Sequence, residues 1–468
     1  MKMTFWDFES WGILNILAVV LLSLIVANIL KRSVGFIQKT LIPTSVLGGI
    51  ILLCISTVYK ITTGELFFDL NFFGGNGTSI LEIITYHALA LGFIASALKV
   101  SDKKLTGQRG KEIFDSGVTT VATYLLQGVF GLVITITVAF ISTDFFSAAG
   151  IILPFGFGQG TGQALNYGTM FEQNNGFVGG SDFGLTVAAL GFLSASIGGV
   201  IHLNIMKKKG RFTAKQKDER VITPENIESP NEIAMSGDMD KFTAQIIFIS
   251  IAYLLTYLAM WGLGELLPGM KATIYGFNFL LGVIFATLVK TVLKVLNKKN
   301  IVKKQYINNF LLNRIGNTCF DIMIVAGIAA IDLTLIANYW GVLLILAVVG
   351  LVVTYIYNIV IAKTLFKDYA DAQFLAMYGM LTGTASTGIM LLREVDPEFK
   401  GPVQDNLVYQ TLPAIVFGFP IMLLAPMTPD KPYLILGLLV AFFIVLNVIL
   451  FRSKLFPKKF AQKNGKTE

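Results

Sequence analysis

The sequence predicts an all-α polytopic membrane protein: two inverted repeats of five transmembrane helices, each repeat with a re-entrant hairpin, and one extra C-terminal helix. Three observations predict it. The 468 residues are 54% hydrophobic and 14% charged, with a mean hydropathy of +0.69, whereas a soluble domain carries about 25% charged residues. The basic residues lie between apolar runs and segregate to alternate connections. The two halves also share a sparse pattern of glycines in the same order.

A span needs about 20 mostly apolar residues. In chain order the charge-free runs are Gly12 to Leu30, Leu41 to Tyr59, Gly117 to Thr143, Phe183 to Met206, Phe242 to Gly264, Leu333 to Ala362, Asn406 to Pro429 and Pro432 to Phe451. Ala272 to Val289 is slightly short but serviceable, and Thr78 to Leu98 and Gly316 to Leu335 carry ionisable groups. The first ten residues hold Asp7 and Glu9 and lack the basic flank and small-residue cleavage site of a signal peptide, so the first run is expected to be retained. Cys54 and Cys319 sit inside apolar segments with no CxxC or histidine companion, which argues for packing rather than a metal site or disulfide.

Orientation follows from the cations. With the first helix entering from outside, Lys31, Arg32, Lys39 and the basic residues of 99–111, 207–241, 290–314, 363–400 and 452–466 fall on one side. Of the 37 basic residues, that leaves Lys2, Lys60, Lys271 and Lys431 on the other. Positive charge favours the cytoplasmic face, so the N-terminus is expected outside and the C-terminus inside a cell (inner) membrane. The net charge of +8 then reflects the membrane, not a nucleic-acid partner.

That assignment works only if two long apolar stretches turn back. A crossing by Phe145 to Phe171 would place Lys207, Lys208, Lys209 and Arg211 outside, and a crossing by Ala372 to Leu392 would do the same to the tail from Arg452. Both are glycine-rich, and irregular backbone at membrane depth survives only where protein or an aqueous cavity satisfies its polar groups. Re-entrant segments therefore imply a site. The halves match weakly but in order: Leu47, Gly48 and Ile50 with Leu281, Gly282 and Ile284; Gly92, Ala95 and Leu98 with Gly327, Ala330 and Leu333; Phe155-Gly156 and Gly160-Thr161 with Tyr378-Gly379 and Gly383-Thr384. Ordered self-similarity is the trace of a transporter repeat. The expected division is an N-terminal repeat over 1–206 with its hairpin at 145–171, a cytoplasmic linker over 207–241, a C-terminal repeat over 242–429 with its hairpin at 372–392, and the extra helix with a basic tail over 430–468.

The chemistry is expected at the breaks. Gly158, Gln159, Gly160, Thr161, Gly162 and Gln163 offer backbone N–H groups, two amides and a hydroxyl, which in a discontinuous helix meet an anion while freed carbonyls suit Na⁺. A small-residue packing face is the alternative. Thr382, Gly383, Thr384, Ser386 and Thr387 read in the same way, and Ser or Thr can also simply satisfy a kink. Asp321 and Asp371, with Thr161 and Thr384, are the candidate Na⁺ ligands, against a solvated cap for Asp321. Arg393 is either a carboxylate clamp or one more inward-facing charge, Asp332 is expected at the far end of its span, and His87 is a proton relay or a hydrogen-bonded structural residue. With His87 and His202 the only histidines and no HExxH, GxSxG or Walker A lysine loop, an intramembrane enzyme has little to work with. A proton-coupled carboxylate transporter, or a channel with re-entrant filter loops, is the alternative to a symporter.

These residues resemble the bacterial sodium:glutamate symporter family: Phe36-Ile37, Ile42-Pro43 and Val46-Leu47-Gly48-Gly49; Gly158 to Gly162 with Gly176-Phe177; Gly191 and Gly198-Gly199; Ile315-Gly316-Asn317; and Tyr369, Asp371-Ala372, Gly379, Gly383 and Thr387. The resemblance covers most of Lys31 to Pro429. It implies a Na⁺-coupled symporter of glutamate or a related small carboxylate, homodimeric, with Na⁺ as coupling ion and no other cofactor. The unit holding both hairpins is expected to move against a dimerising scaffold. Where the family reads Gly-Gly-His-Gly-Thr-Gly, this chain has Phe157 for the first glycine and Gln159 for the histidine. Where it reads Gly-Ala-Thr-Pro-Thr-Ala, the chain has Gly383, Thr384, Ala385, Ser386, Thr387 and Gly388. Both departures fall where substrate is expected, and the last helix lies outside the family's pattern.

Overall fold

The computed structural model describes residues 6–39, 41–100, 107–142, 145–210, 232–233, 239–268, 271–396 and 401–455. Most of the expected linker, 207–241, lies outside the described residues. The helices that carry the fold are α1 (Phe8–Ser33), α2 (Thr44–Thr63), α3 (Gly77–Leu98), α4 (Gly107–Ile141), α5 (Ile152–Gln159), α6 (Thr161–Asn175), α7 (Gly180–Lys208), α8 (Lys241–Leu266), α9 (Asn278–Lys298), α10 (Asn309–Ala329), α11 (Trp340–Leu365), α12 (Ala370–Thr382), α13 (Ala385–Val395), α14 (Val403–Tyr409), α15 (Thr411–Leu424) and α16 (Pro432–Leu450). Among the described residues ten helices are long and apolar enough to cross a membrane: α1 to α4, α7 to α11 and α16. The protein is an all-helical, multi-pass membrane protein.

The run Asn406 to Pro429 departs from expectation. It divides at Gln410 into α14 and α15, and its apolar helix, Pro413–Met427, is shorter than the ten spans. Pro413 and Pro420 lie in that stretch, and a proline inside a helix removes a backbone hydrogen bond. Asp332 lies beyond the end of α10, as expected, and pairs with Lys60 near the end of α2. Cys319 is half-buried, but Cys54 is exposed, so packing describes only the former.

The chain forms two compact units. One comprises Met1–Ser33, Thr44–Lys104 and Gln216–Asp332, and so holds α1, α2, α3, α8, α9 and α10. Helices in lipid associate through close van der Waals approach at small residues, and the glycines here do that. A Cβ on Gly92 of α3 would lie 2.7 Å from the Phe320 ring of α10, one on Gly282 of α9 2.8 Å from Ile94, and one on Gly49 of α2 2.7 Å from Ile328. Its buried Lys241 pairs with Glu232 at 3.1 Å.

The second unit comprises Val34–Pro43, Leu105–Lys215 and Leu333–Glu468, with α4 to α7 and α11 to α16. The extra helix α16 packs on α4. Just beyond its end, Arg452 Nη1 donates to the buried Asp115 carboxylate at 2.7 Å, its guanidinium over the Phe114 ring. Two helices in this unit are broken and folded back. At Gly160, φ is 81° and ψ −170°, a conformation that favours glycine, and beyond it Phe155 of α5 stacks on Tyr167 of α6 with centroids 3.9 Å apart. At Gly383 the chain turns again, and a Cβ on Gly388 of α13 would lie 2.4 Å from the Ala376 carbonyl of α12. The four half-helices have 8, 15, 13 and 11 residues. At about 1.5 Å per residue none reaches the roughly 30 Å of hydrocarbon.

Helix α7 is the ruler of this unit. Near its start, a Cβ on Gly180 would lie 2.5 Å from the Gly168 carbonyl of α6, and one on Gly184 2.3 Å from that of Ala164. Near its end, His202 Nε2 lies 3.4 Å from Asp371 at the start of α12. Between them, a Cβ on Gly191 would fall 2.7 Å from the Thr382 carbonyl and 3.2 Å from Phe157 Cα. The two broken helices thus approach Gly191 from opposite ends of α7.

Gly168→Ala is expected to destabilise the protein by about 1–3 kcal/mol, because backbone rather than a flexible side chain blocks the new methyl. Gly262→Ala, in the interior of α8 with nothing within 4 Å of its Cβ, is expected to be neutral or stabilising by up to about 1 kcal/mol. Thermal unfolding of the two purified variants in detergent checks the contrast.

Candidate functional site

Breaking a helix leaves its last carbonyls and the first N–H groups of the next segment without partners. In the first broken helix the Tyr124 hydroxyl of α4 donates to the Gly158 carbonyl at 3.0 Å, and in the second the Gln127 amide of α4 donates to the Leu381 carbonyl at 2.9 Å. The amino ends are less provided for. Neither Gly160, before α6, nor Thr384, before α13, supplies a side-chain cap. Two helix N-termini with partial positive charge therefore open at the level where the breaks meet α7.

The side chains around them are polar and uncharged. Gln163, in the first turn of α6, is 1% exposed, and neither its amide nitrogen nor its oxygen has a hydrogen-bond partner among the described residues. The Gln159 amide nitrogen is likewise buried and unpartnered. Buried polar atoms are almost always satisfied, which makes these amides the candidates to meet water or a bound molecule. Thr161, Thr382 and Thr387 are buried, and the Thr384 and Thr387 hydroxyls lie 3.5 Å apart. Thr382 donates to the Tyr378 carbonyl, which satisfies the last turn of α12. The side chain of Ser386 lies outside the described residues. None of residues 157–163 or 381–387 is acidic or basic.

Both departures from the family pattern in the first break have a physical reading. Phe157 is fully buried: a Cβ on Gly350 of α11 would lie 2.9 Å and one on Gly191 3.1 Å from its ring, so it fills the space that Gly191 and Gly350 leave. Gln159, where the resemblance implies an imidazole, presents a neutral amide that does not titrate.

Two of the remaining candidates, Arg393 and Asp371, lie away from the breaks. Arg393 is exposed in the last turn of α13, about 12 Å along the axis from its start. Asp371 lies in the first turn of α12, about 16 Å from its end, facing His202, whose Nδ1 meets the Tyr355 hydroxyl at 3.0 Å. Helix rise alone carries both to the base of the second broken helix. There Tyr369 donates to Glu112 at 2.7 Å, and burial pushes its pKa up to about 12, which keeps it a donor. Asp321 belongs to the other unit, where its carboxylate meets Ser45. His87 is exposed on α3 and hydrogen-bonds the Tyr253 hydroxyl at 2.5 Å. Among the described residues no three His, Cys, Asp or Glu side chains cluster as metal ligands. Sequence reasoning missed Tyr124 and Gln127, although Val121-Ala-Thr-Tyr-Leu-Leu-Gln127 and Val352-Val-Thr-Tyr-Ile-Tyr-Asn358 repeat a Val-x-Thr-Tyr-x-x-amide pattern.

The sequence model of the family described as sodium/glutamate symporter matches residues 10–401. No curated protein matches the chain. The match includes both broken helices and ends before α14, α15 and α16.

Gln163→Leu removes two unpaired buried polar atoms at nearly constant volume. The thermal midpoint of the empty protein is expected to stay level or rise, while glutamate affinity in saturating NaCl falls at least about tenfold, the effect of one lost hydrogen bond to a charged group. Thermal shift with and without glutamate reads both. A lower midpoint with undiminished glutamate stabilisation would remove Gln163 from the site.

Proposed function

The chain belongs to the sodium/glutamate symporter family, and on that premise we propose that it carries glutamate, or a related small carboxylate, by alternating access, with the cargo held between its two broken helices. The supporting observation is the convergence of both breaks on Gly191, in uncharged surroundings that contain the unpartnered amides of Gln159 and Gln163. At neutral pH glutamate has a net charge of −1, and burying an uncompensated charge is costly. The residues at the breaks carry no side-chain cation to offset it.

Two sources of positive charge remain: the helix N-termini and Na⁺. Na⁺ binds first to freed carbonyls and hydroxyls, among them those of Thr161 and Thr384. The substrate carboxylates then meet the open N–H groups of α6 and α13, with Gly158 to Gln163 and Thr382 to Thr387 as the lining. The unit that holds both breaks moves to expose this site on each side in turn. It moves readily when empty or fully loaded and poorly with one charge alone, which couples the two fluxes. Asp371 and Arg393, at the base of the second broken helix, act outside this pocket. The N-terminus is outside and the C-terminus cytoplasmic in the inner membrane, 145–171 and 372–392 are the re-entrant segments of inverted repeats over 1–206 and 242–429, and the assembly is a homodimer.

Purified protein in liposomes is expected to concentrate labelled glutamate when an inward Na⁺ gradient is imposed, and not with an H⁺ gradient alone. Accumulation driven by H⁺ without Na⁺ would replace the coupling ion. Single-channel currents with no saturable counterflow would replace the carrier with a pore.

A further inference from the structure

The two crossing helices that flank the breaks hold a symmetric polar cluster that the cargo site does not use. Thr123 and Gln127 lie one turn apart on α4, and Thr354 and Asn358 one turn apart on α11. Their amides cross. Gln127 Nε2 donates to the Thr354 hydroxyl at 2.8 Å, and Asn358 Nδ2 to the Thr123 hydroxyl at 3.4 Å. Each amide nitrogen also donates to a backbone carbonyl: Gln127 to Leu381 at 2.9 Å and Asn358 to Thr354 at 2.9 Å. Those carbonyls settle which way each amide points, since a flipped amide would set oxygen against oxygen.

What is left over is two acceptors. Gln127 is 0% and Asn358 2% exposed, and Gln127 Oε1 and Asn358 Oδ1 have no hydrogen-bond partner among the described residues. The Thr123 hydroxyl already gives its proton to the Thr119 carbonyl at 2.8 Å, so towards the cluster it too presents lone pairs. A buried cluster of amide and hydroxyl oxygens, two of them without a donor and with no charged side chain among the four residues, has the chemistry of a hard, singly charged cation's coordination shell.

We infer that Gln127 Oε1 and Asn358 Oδ1, with the hydroxyls of Thr123 and Thr354, form a Na⁺ site between α4 and α11. The inference rests on the symporter reading above and assigns one of its ions. The site is wired to the cargo through Gln127, whose nitrogen holds the Leu381 carbonyl two residues before the Gly383 break. A cation on Oε1 polarises that amide and strengthens its grip on the end of α12. Occupancy therefore orders the break before substrate arrives.

The test uses full-length protein in detergent without glutamate, titrated with NaCl at ionic strength held constant by choline chloride. Thermal midpoint and bound ²²Na⁺ are the readouts. Gln127→Leu is expected to raise the Na⁺ concentration for half-maximal stabilisation at least about tenfold, the loss of one ligand to a charged group, and to reduce bound Na⁺ by one ion per chain. Asn358→Asp keeps the shape and adds a negative charge, so it is expected to shift the midpoint by about tenfold or more in the opposite direction. Thr354→Ser, which keeps the hydroxyl, is expected to bind like wild type. Unchanged Na⁺ response and stoichiometry in both Gln127→Leu and Asn358→Asp would overturn the site and leave buried water as the occupant, with the symporter reading intact. If Gln127→Leu does not fold, an unshifted Asn358→Asp is sufficient to overturn it. A wild-type protein that neither binds nor responds to Na⁺ would sink the coupling and the site together.

Discussion

A backbone that breaks its helix inside a bilayer must have its freed N–H and C=O groups met by protein or by cargo, because lipid meets none of them. The second unit is organised around that constraint. Tyr124 and Gln127 of α4 take up the carbonyl ends of the two breaks, whereas the amino ends of α6 and α13 have no side-chain caps. That asymmetry is what the proposed function uses: uncapped amino ends suit an anion, and remaining carbonyl and amide lone pairs suit a cation. A family whose substrates are sodium and glutamate needs both kinds of end.

Close approach is what glycine supplies. At Gly191 the carbonyl of Thr382 and the Cα of Phe157 lie where a side chain would otherwise stand. Phe157 is set between Gly191 and Gly350, so the breaks meet in a packed, buried setting. In such a setting an unpaired charge is expensive. With no acidic or basic residue over 157–163 and 381–387, the proposed function has the cation offset the charge of the anion.

Much of this was legible in the sequence, because charge and glycine are one-dimensional signals. Counting cations across the runs singled out 145–171 and 372–392, and the breaks fall inside them, at Gly160 and Gly383. Gln159 and Gln163 stood out as polar residues among glycines. Arg393 and Asp371 were drawn in because they are near the breaks in sequence, but helix rise carries each more than a turn and a half away. Asn406 to Pro429 read as one span because it is charge-free, and the backbone change at Gln410 left no trace in hydropathy. The division into units was not legible, since each unit is made of pieces from both halves and depends on non-local contacts. The Thr-Tyr-x-x-amide repeat on α4 and α11 was visible but carries neither charge nor glycine.

The proposed function needs the two broken helices, which meet at Gly191 of α7, to enter from opposite sides of the membrane. Single cysteines in a Cys54→Ser, Cys319→Ser background test it most directly when labelled in intact cells with a membrane-impermeant maleimide. Ser142 and Val178 flank the first broken helix, Lys367 and Arg393 flank the second, and all four are exposed. The account predicts that cysteines at the first pair react from outside and at the second pair only after permeabilisation. Reaction of the two members of either pair from different sides would contradict it.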